Sequence, residues 1–240
     1  MSINLQFDEE RRAEIEQAWT EWWAGELRRP IVTITSPARV AFTPHQFTRE
    51  FIQETPIDEA LDYYQSQLEN TLHYADALPT FHNPLYFGMS GSRMKPMPEL
   101  HTVWNEAEEP IPFEEIHFTY DPDHVRSRAM QLRAGAVERW DDKVTIAHTG
   151  LGVGLQSLSS LRTTYQLLSD LYESPDEVLR LSKESTDVSM RQYEDSWDII
   201  KKAHRGSTNW APLWAPGRGH MYECDFSCMI SPKMYERFVM

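Results

Sequence analysis

Side chains able to do chemistry crowd together in residues 206–240. The segment contains His220, Cys224, Asp225 and Cys228, together with Trp210, Trp214, Arg218 and Tyr222. A short strand is predicted over 206–210, and Ser231-Pro232 predicts the start of a helix. Reactive and aromatic groups on a loop between a strand and a helix are typical of the C-terminal rim of an α/β sheet or barrel. We therefore expect Trp214, Arg218 and Asp225 to line one shared cavity.

Two residues are candidates for proton transfer. Asp225 lies among aromatic residues, where the pKa of a carboxyl group can be displaced far enough for acid–base work or cation binding. An Asx turn or a helix cap is the alternative role for this residue. His148 ends the predicted strand 143–148, so its imidazole is a second candidate acid, base or ligand contact. The alternative for His148 is a hydrogen bond to the backbone.

Basic and aromatic residues are predicted to hold a substrate. Arg218 lies in a Pro-Gly-Arg-Gly turn, where its planar fork can clamp a carboxylate, and Arg162 can reach an anion from its helix. A solvated arginine and a structural salt bridge are the respective alternatives. The other predicted substrate contacts are His220 and the aromatic residues Trp210, Trp214 and Tyr222. For the tryptophans the alternative is core packing, which the pattern favours for Trp210.

Cys224 and Cys228 are weak candidates for metal ligands, with His220 upstream of them. The resulting spacing, H-x3-C-x3-C, is not one of the common zinc patterns, although Asp225 could supply a fourth ligand. Ordinary thiols on a loop are the alternative. One close pair of cysteines also gives no disulfide framework of the secreted kind.

Composition excludes several classes of partner. The chain has 240 residues, with 37 acidic against 23 basic side chains and a net charge of −14. This balance argues against nucleic acid and anionic membrane surfaces as main partners, since both need clustered Lys and Arg. The first residues are charged and carry no signal peptide, and no apolar stretch is long enough to span a membrane. We predict a cytoplasmic protein that binds a small molecule.

The order of predicted elements indicates an α/β protein. Strands at 31–35, 143–148 and 206–210 alternate with helices, including one from about Pro56 to Tyr74 and one over 158–172. The helical connections are long enough to join parallel strands. No linker divides the chain, so we expect a single domain over 1–240.

A resemblance to a known family rests on motifs in the second half of the chain. Ile230–Val239 (ISPKMYERFV) resembles the "SPxxFxxFV" helix of the uroporphyrinogen decarboxylase superfamily, which includes cobalamin-dependent methyltransferases. Ser157–Thr164 and the following Leu167–Val178 resemble a second segment of that superfamily. The resemblance is clear over about 121–240 and weaker before it.

The resemblance implies a (β/α)8 TIM barrel with an N-terminal helical extension. Barrels of this superfamily are longer than this chain, so we expect an incomplete barrel, the N-terminal two thirds of one truncated at its C-terminal end. It also implies decarboxylase-type chemistry, without a cofactor, on a carboxylated tetrapyrrole or similar small substrate. The alternative is methyl transfer with zinc and a corrinoid partner protein.

The sequence departs from the family's motifs at two places, so the resemblance does not identify a specific reaction. The arginine motif of true decarboxylases is absent after Arg29-Pro30, and His220 and Cys224 do not reproduce the His-x-Cys zinc pair of the methyltransferases. A non-catalytic ligand-binding barrel or an inactive fragment therefore stays a third interpretation. An open barrel would expose strand edges, which predicts a possible homodimer.

Overall fold

A computed structural model describes residues 3–38, 48–83, 93–97, 102–148 and 153–240. The chain divides into two compact units, each assembled from three separated segments. Unit 1 consists of Met1–Leu85, Val125–Gly150 and Asp195–Met221, and unit 2 consists of Tyr86–His124, Leu151–Glu194 and Tyr222–Met240. Because the segments alternate along the chain, no single cut separates the units. The expectation of one domain over 1–240 stays a prediction.

Unit 1 begins with a 3-10 helix, Glu9–Arg11, whose first turn is capped by the Asp8 carboxylate. It continues with α1 (Arg12–Trp23), β1 (Thr33–Pro37), α2 (Arg49–Gln53), α3 (Ile57–Glu69), β2 (Thr71–Ala75) and β3 (Thr80–Phe81). Later in the chain come a 3-10 helix at Pro122–Arg126, which crosses the unit boundary, and α4 (Arg128–Trp140), a 3-10 turn at Asp141–Lys143 and β6 (Thr145–Ile146).

Unit 2 contains β4 (Arg93–Met97), β5 (Thr102–Glu106), a 3-10 helix at Phe113–Glu115, α5 (Gly154–Arg162) and α6 (Thr164–Glu173). The long helix α7 (Pro175–Ile200) begins in unit 2 and ends in unit 1, where the 3-10 turn Lys201–Ala203 follows it. A 3-10 helix at Asp225–Met229 and α8 (Pro232–Phe238) end the described chain. The Ser231 hydroxyl accepts from the Met234 N–H and caps α8, which confirms the helix predicted from Ser231-Pro232.

The predicted incomplete (β/α)8 barrel is wrong. The strands of the described residues form three separate two-stranded sheets, and the pairs β1–β2 and β4–β5 are antiparallel. Among the named strands of the described residues only β3 and β6 pair in parallel, with Thr80 opposite Thr145 and Phe81 opposite Ile146, and two isolated bridges, Gln6 to Leu72 and Ala147 to Thr208, are parallel as well. A barrel requires a closed ring of parallel strands, which these pairs do not form.

The segment after α3 gives a physical reason why the predicted barrel does not form. The helical pattern predicts a helix to about Tyr74, but α3 ends at Glu69 and Thr71–Ala75 forms β2. β-Branched and aromatic residues favour the strand, and its register pairs Tyr74 with Ile34 across the sheet. The predicted strand at 206–210 is reduced to isolated bridges, from Thr208 to Ala147 and from Ser207 to Ala215.

Each unit has its own hydrophobic cluster. In unit 1, Ile15 and Trp19 of α1 pack with Leu78 and Trp214, and Phe81 forms edge-to-face contacts with Tyr64 and Trp140. The cluster in unit 2 is built from α5, α6, α7 and the C-terminal helices; it includes Leu155, Leu158, Leu161, Leu167, Leu171, Val178, Leu181, Phe226 and Phe238. The helix predicted over 158–172 is broken at Thr163, whose φ of 61° lies outside the helical region.

Among the described residues, none of the helices combines the length and the apolar character needed to cross a membrane.

Candidate functional site

The carboxyl ends of β3, β6 and the bridge at Thr208 meet at one edge in unit 1. The Ala147 N–H donates to the Phe81 carbonyl, and the His148 N–H donates to the Thr208 carbonyl. His82 and His148 therefore follow neighbouring strand ends, as residues after parallel strands do. The end of α7 and the loop 216–220 contribute the remaining side chains. The histidine–arginine cluster defined in this way consists of Arg133, His148, Ser196, Trp197, Arg218 and His220.

Arg133 is a buried cation on α4. Its side chain is 0% exposed, its Nε donates to the Ala147 carbonyl at 3.1 Å and its Nη1 donates to the Ala129 carbonyl at 2.7 Å. Among the described residues its Nη2 has no hydrogen-bond partner, and no carboxylate pairs with it.

Burial lowers the pKa of the Arg133 guanidinium to about 9. Burial disfavours the charged form of any cation, and here no ionised acid opposes that effect. The group nevertheless stays protonated at neutral pH, because its pKa remains above 7. The cluster thus contains a permanent positive charge that lacks a neutralising partner within the described structure.

His148 lies in the middle of the cluster and is 2% exposed. Its Nδ1 is 3.2 Å from the Ser196 hydroxyl. The Trp197 ring stacks on the imidazole at 23° with centroids 6.1 Å apart, and the His220 ring meets it edge-on at 5.8 Å. Burial, helped by the nearby His220, Arg133 and Arg218, lowers the pKa of His148 to about 3.

The neighbouring imidazoles are also neutral at physiological pH. Burial lowers the pKa of His220 to about 4, and the Arg133 charge adds to the effect. The pKa of His82 falls to about 4 for the same two reasons. Neutral imidazoles next to a cation offer hydrogen-bond donors without adding further charge. Such an arrangement suits an anion with several oxygen acceptors.

Of the residues predicted from sequence, His148, His220 and Arg218 are brought together in this cluster. Arg218 is exposed, and its Cζ lies 5.9 Å from the centroid of the Trp197 ring. Trp214 is instead 5% exposed in the hydrophobic cluster of unit 1, where its Nε1 donates to the Arg205 carbonyl. Trp210 is 47% exposed, so the core packing favoured for it does not occur.

The other predicted site residues belong to unit 2. Asp225 is exposed at the start of a 3-10 helix, and the Tyr222 hydroxyl contacts the Met190 sulfur at 2.9 Å. Trp214 packs in the hydrophobic cluster of unit 1 and Asp225 belongs to unit 2, and the cavity expected to be shared by Trp214, Arg218 and Asp225 stays a prediction.

Arg162 of unit 2 is fully engaged by protein groups. Its Nε and Nη2 donate to the two carboxylate oxygens of Asp170 at 2.7 and 2.9 Å, and its Nη1 donates to the Ile111 carbonyl. The guanidinium also lies 4.2 Å from the centroid of the Phe113 ring. These contacts favour the structural salt bridge over the predicted anion contact.

Cys224 and Cys228 are free cysteines in unit 2. Burial, with Asp225 and Cys228 nearby, raises the pKa of the Cys224 thiol, which favours the protonated form over the thiolate that binds metals. Within the described ranges, no group of three or more His, Cys, Asp or Glu side chains is placed to hold a metal ion. The zinc and corrinoid alternative stays a prediction.

Sequence reasoning missed Arg133, Ser196 and Trp197. A signal for Arg133 existed, because it occupies a core position of α4 between the buried residues Ala129, Leu132 and Ala136. A charged residue at helical spacing on a buried face is uncommon and points to a specific partner. Ser196 and Trp197 gave no comparable signal, since α7 carries several serines and aromatic residues.

No family model, no curated protein and no solved structure matches this chain.

Proposed function

We propose that this protein binds a small carboxylated substrate at the histidine–arginine cluster and carries out decarboxylase-type chemistry on it. The observation that carries the proposal is the burial of Arg133 without a carboxylate partner among the described residues. A buried charge without a partner costs several kcal/mol in a folded protein. A bound anionic ligand would supply the opposite charge and offset this unfavourable free energy.

A carboxylate matches the donors that the cluster offers. Arg133 has an Nη2 group beyond its two backbone bonds, and guanidinium groups bind carboxylates through charge-assisted hydrogen bonds. The neutral imidazoles of His148 and His220 can donate further bonds to the same oxygens.

The reaction class rests on the resemblance of Ile230–Val239 to the decarboxylase superfamily. In such a reaction the bond to one carboxylate breaks, carbon dioxide leaves, and the carbon that keeps the electron pair takes up a proton. Arg133 is proposed to hold a second carboxylate that stays on the substrate, because stabilising the leaving carboxylate in the ground state would slow its loss. The proton taken up by the carbon is proposed to come from solvent water, which leaves hydroxide in the solvent, because a pKa of about 3 leaves His148 uncharged; His148 is proposed to donate a hydrogen bond to the substrate instead.

Ligand binding is tested by calorimetry and thermal unfolding in chloride-poor buffer, with succinate, benzoate and inorganic phosphate as probes. A ligand present at a hundred times its Kd stabilises the native state by about 2.7 kcal/mol. We expect a carboxylate to raise the unfolding temperature of the wild type, and Arg133→Met to weaken its binding at least about tenfold, the effect of losing one charge-assisted contact. If phosphate is the one probe that binds, the proposed substrate class changes from carboxylates to phosphates.

Arg128→Met is the matched control on the same helix, because Arg128 donates to the Phe51 carbonyl and lies outside the cluster. It should bind the carboxylate as the wild type does. Equal binding by the wild type and Arg133→Met, or no binding of any probe, would contradict the proposed site. Carbon dioxide release from carboxylates that bind then tests turnover; binding without release supports the non-catalytic alternative.

A further inference from the structure

Ser196 of α7 lies within hydrogen-bond distance of the His148 ring. The Ser196 Oγ lies 3.2 Å from His148 Nδ1, and the two side chains belong to residues that are 1% and 2% exposed. The bond is therefore shielded from water, which cannot replace either partner. The next residue, Trp197, stacks on the same imidazole, so one turn of α7 sets both the position and the plane of the ring.

The direction of this hydrogen bond follows from the surroundings of the hydroxyl. A serine within a helix often donates to a carbonyl of the preceding turn, and Ser185 and Thr186 of α7 both donate to the Ser182 carbonyl in this way. Ser196 forms no such bond among the described residues, and His148 Nδ1 is its sole partner there. A buried hydroxyl with one available acceptor donates to it.

We infer that Ser196 is a positioning residue that donates to Nδ1 of His148 and thereby fixes the tautomer with the proton on Nε2. His148 then presents a neutral N–H donor next to Arg133, which suits the carboxylate of the proposed function, on which this inference rests. The opposite tautomer would present a lone pair on Nε2 and repel the same oxygen atoms. Neutral imidazoles are known to act as donors to developing oxyanions in other enzymes.

The tautomer is measured directly by two-bond 15N–1H correlation spectra of the ligand-free protein, with the His148 signals assigned by their absence in His148→Asn. We expect Nδ1 to show the shift of an unprotonated nitrogen and Nε2 that of a protonated one. A proton on Nδ1 in the wild type would overturn the inference without any variant being needed.

Ser196→Ala tests the role of the hydroxyl. It should shift His148 toward the Nδ1–H tautomer or a mixture, and weaken succinate or benzoate binding by about tenfold, the effect of losing one well-placed donor. Ser185→Ala is the matched control, because it removes another buried α7 hydroxyl that bonds the Gly154 N–H instead. Ser196→Thr retains the hydroxyl and should restore both the tautomer and the affinity.

The outcomes separate this inference from the proposed function. An Nε2–H tautomer in a protein that binds no carboxylate would contradict the proposed function and leave the role of Ser196 in setting the tautomer intact. Carboxylate binding that depends on Arg133 but not on Ser196, with His148 unchanged in Ser196→Ala, would contradict the inference alone.

Discussion

Two arginines show how differently a guanidinium can be buried in this protein. Arg162 is enclosed in unit 2 with Asp170 as a bidentate partner, so its charge is neutralised on site. Arg133 is enclosed in unit 1 with backbone carbonyls and neutral imidazoles around it. The first arrangement stabilises the fold, and the second leaves a positive charge that an anionic ligand can neutralise. Both residues are arginines on helices, and their residue type does not distinguish these roles.

Removing the partner of Arg162 should be strongly destabilising. Asp170→Asn keeps the shape of the side chain but leaves the buried guanidinium without a counter-charge, which costs about 3–5 kcal/mol when a buried pair is broken. Urea denaturation followed by circular dichroism measures the loss. Arg180→Ala is the control, because Arg180 pairs with Glu177 and Glu184 on the exposed face of α7 and such pairs contribute about 0–1 kcal/mol. Equal effects of the two changes would rule out the structural role given to Arg162.

The loop that carries Arg218 and His220 depends on a close backbone approach at Gly206. This glycine has a φ of +69°, and a Cβ at its position would lie 2.2 Å from the Ala215 carbonyl oxygen. Ser207 and Ala215 exchange both backbone hydrogen bonds next to it, at 2.9 Å each. The approach of the two backbones therefore requires a residue without a side chain, since the atom in the way is backbone and cannot rotate aside.

Gly206→Ala should therefore lower the free energy of unfolding by more than about 1 kcal/mol, the cost of a non-glycine residue at positive φ, with the steric clash in addition. Gly217→Ala in the same loop is the matched control, because a Cβ there meets nothing within 4 Å. Thermal and urea unfolding of both variants measure this difference in the free energy of unfolding. A neutral Gly206→Ala would show that the bridge between Ser207 and Ala215 does not form as described.

The start of α8 is predicted correctly from its cap, whereas the helix ends predicted from hydrophobic periodicity differ from the structure. Ser231 caps α8 through its hydroxyl, a local interaction that depends on neighbouring residues alone. Beyond Asn70 the apolar spacing fits a helix as well as a strand, and pairing with β1 selects the strand. Thr163 breaks the helix predicted over 158–172, and no glycine or proline marks that position.

The molecule as a whole should lose stability in mild acid. Burial lowers the pKa of His148 to about 3 and that of His73, His82 and His220 to about 4, and all four belong to unit 1. The unfolded chain takes up protons at these histidines near pH 6.5, whereas the folded chain does so only near pH 3–4. The unfolded state therefore binds more protons in this window, and stability falls as the pH falls.

Urea denaturation between pH 7.5 and 4.5, followed by tryptophan fluorescence, measures this dependence. Each histidine contributes a slope of up to about 1.4 kcal/mol per pH unit, and the contribution is present above pH about 6.5 and lost on the way to pH about 4. His148→Gln removes one of these histidines, so it should reduce the slope of unfolding free energy against pH by up to about 1.4 kcal/mol per pH unit. Stability that is constant from pH 6.5 to 4.5, or that rises, would show that these imidazoles are not buried in neutral form.

The sequence alone determines local features: the acidic balance, the cap of α8 and the turn around Arg218 follow from residue types and their immediate neighbours. His148 was also found from its place at a strand end. The sequence does not predict the strand partners or the division into two units. It also does not predict the contacts that bring Arg133, His148 and Ser196 together. These features join residues far apart in the chain, and their free energy comes from burial and pairing between segments, which local propensity does not encode.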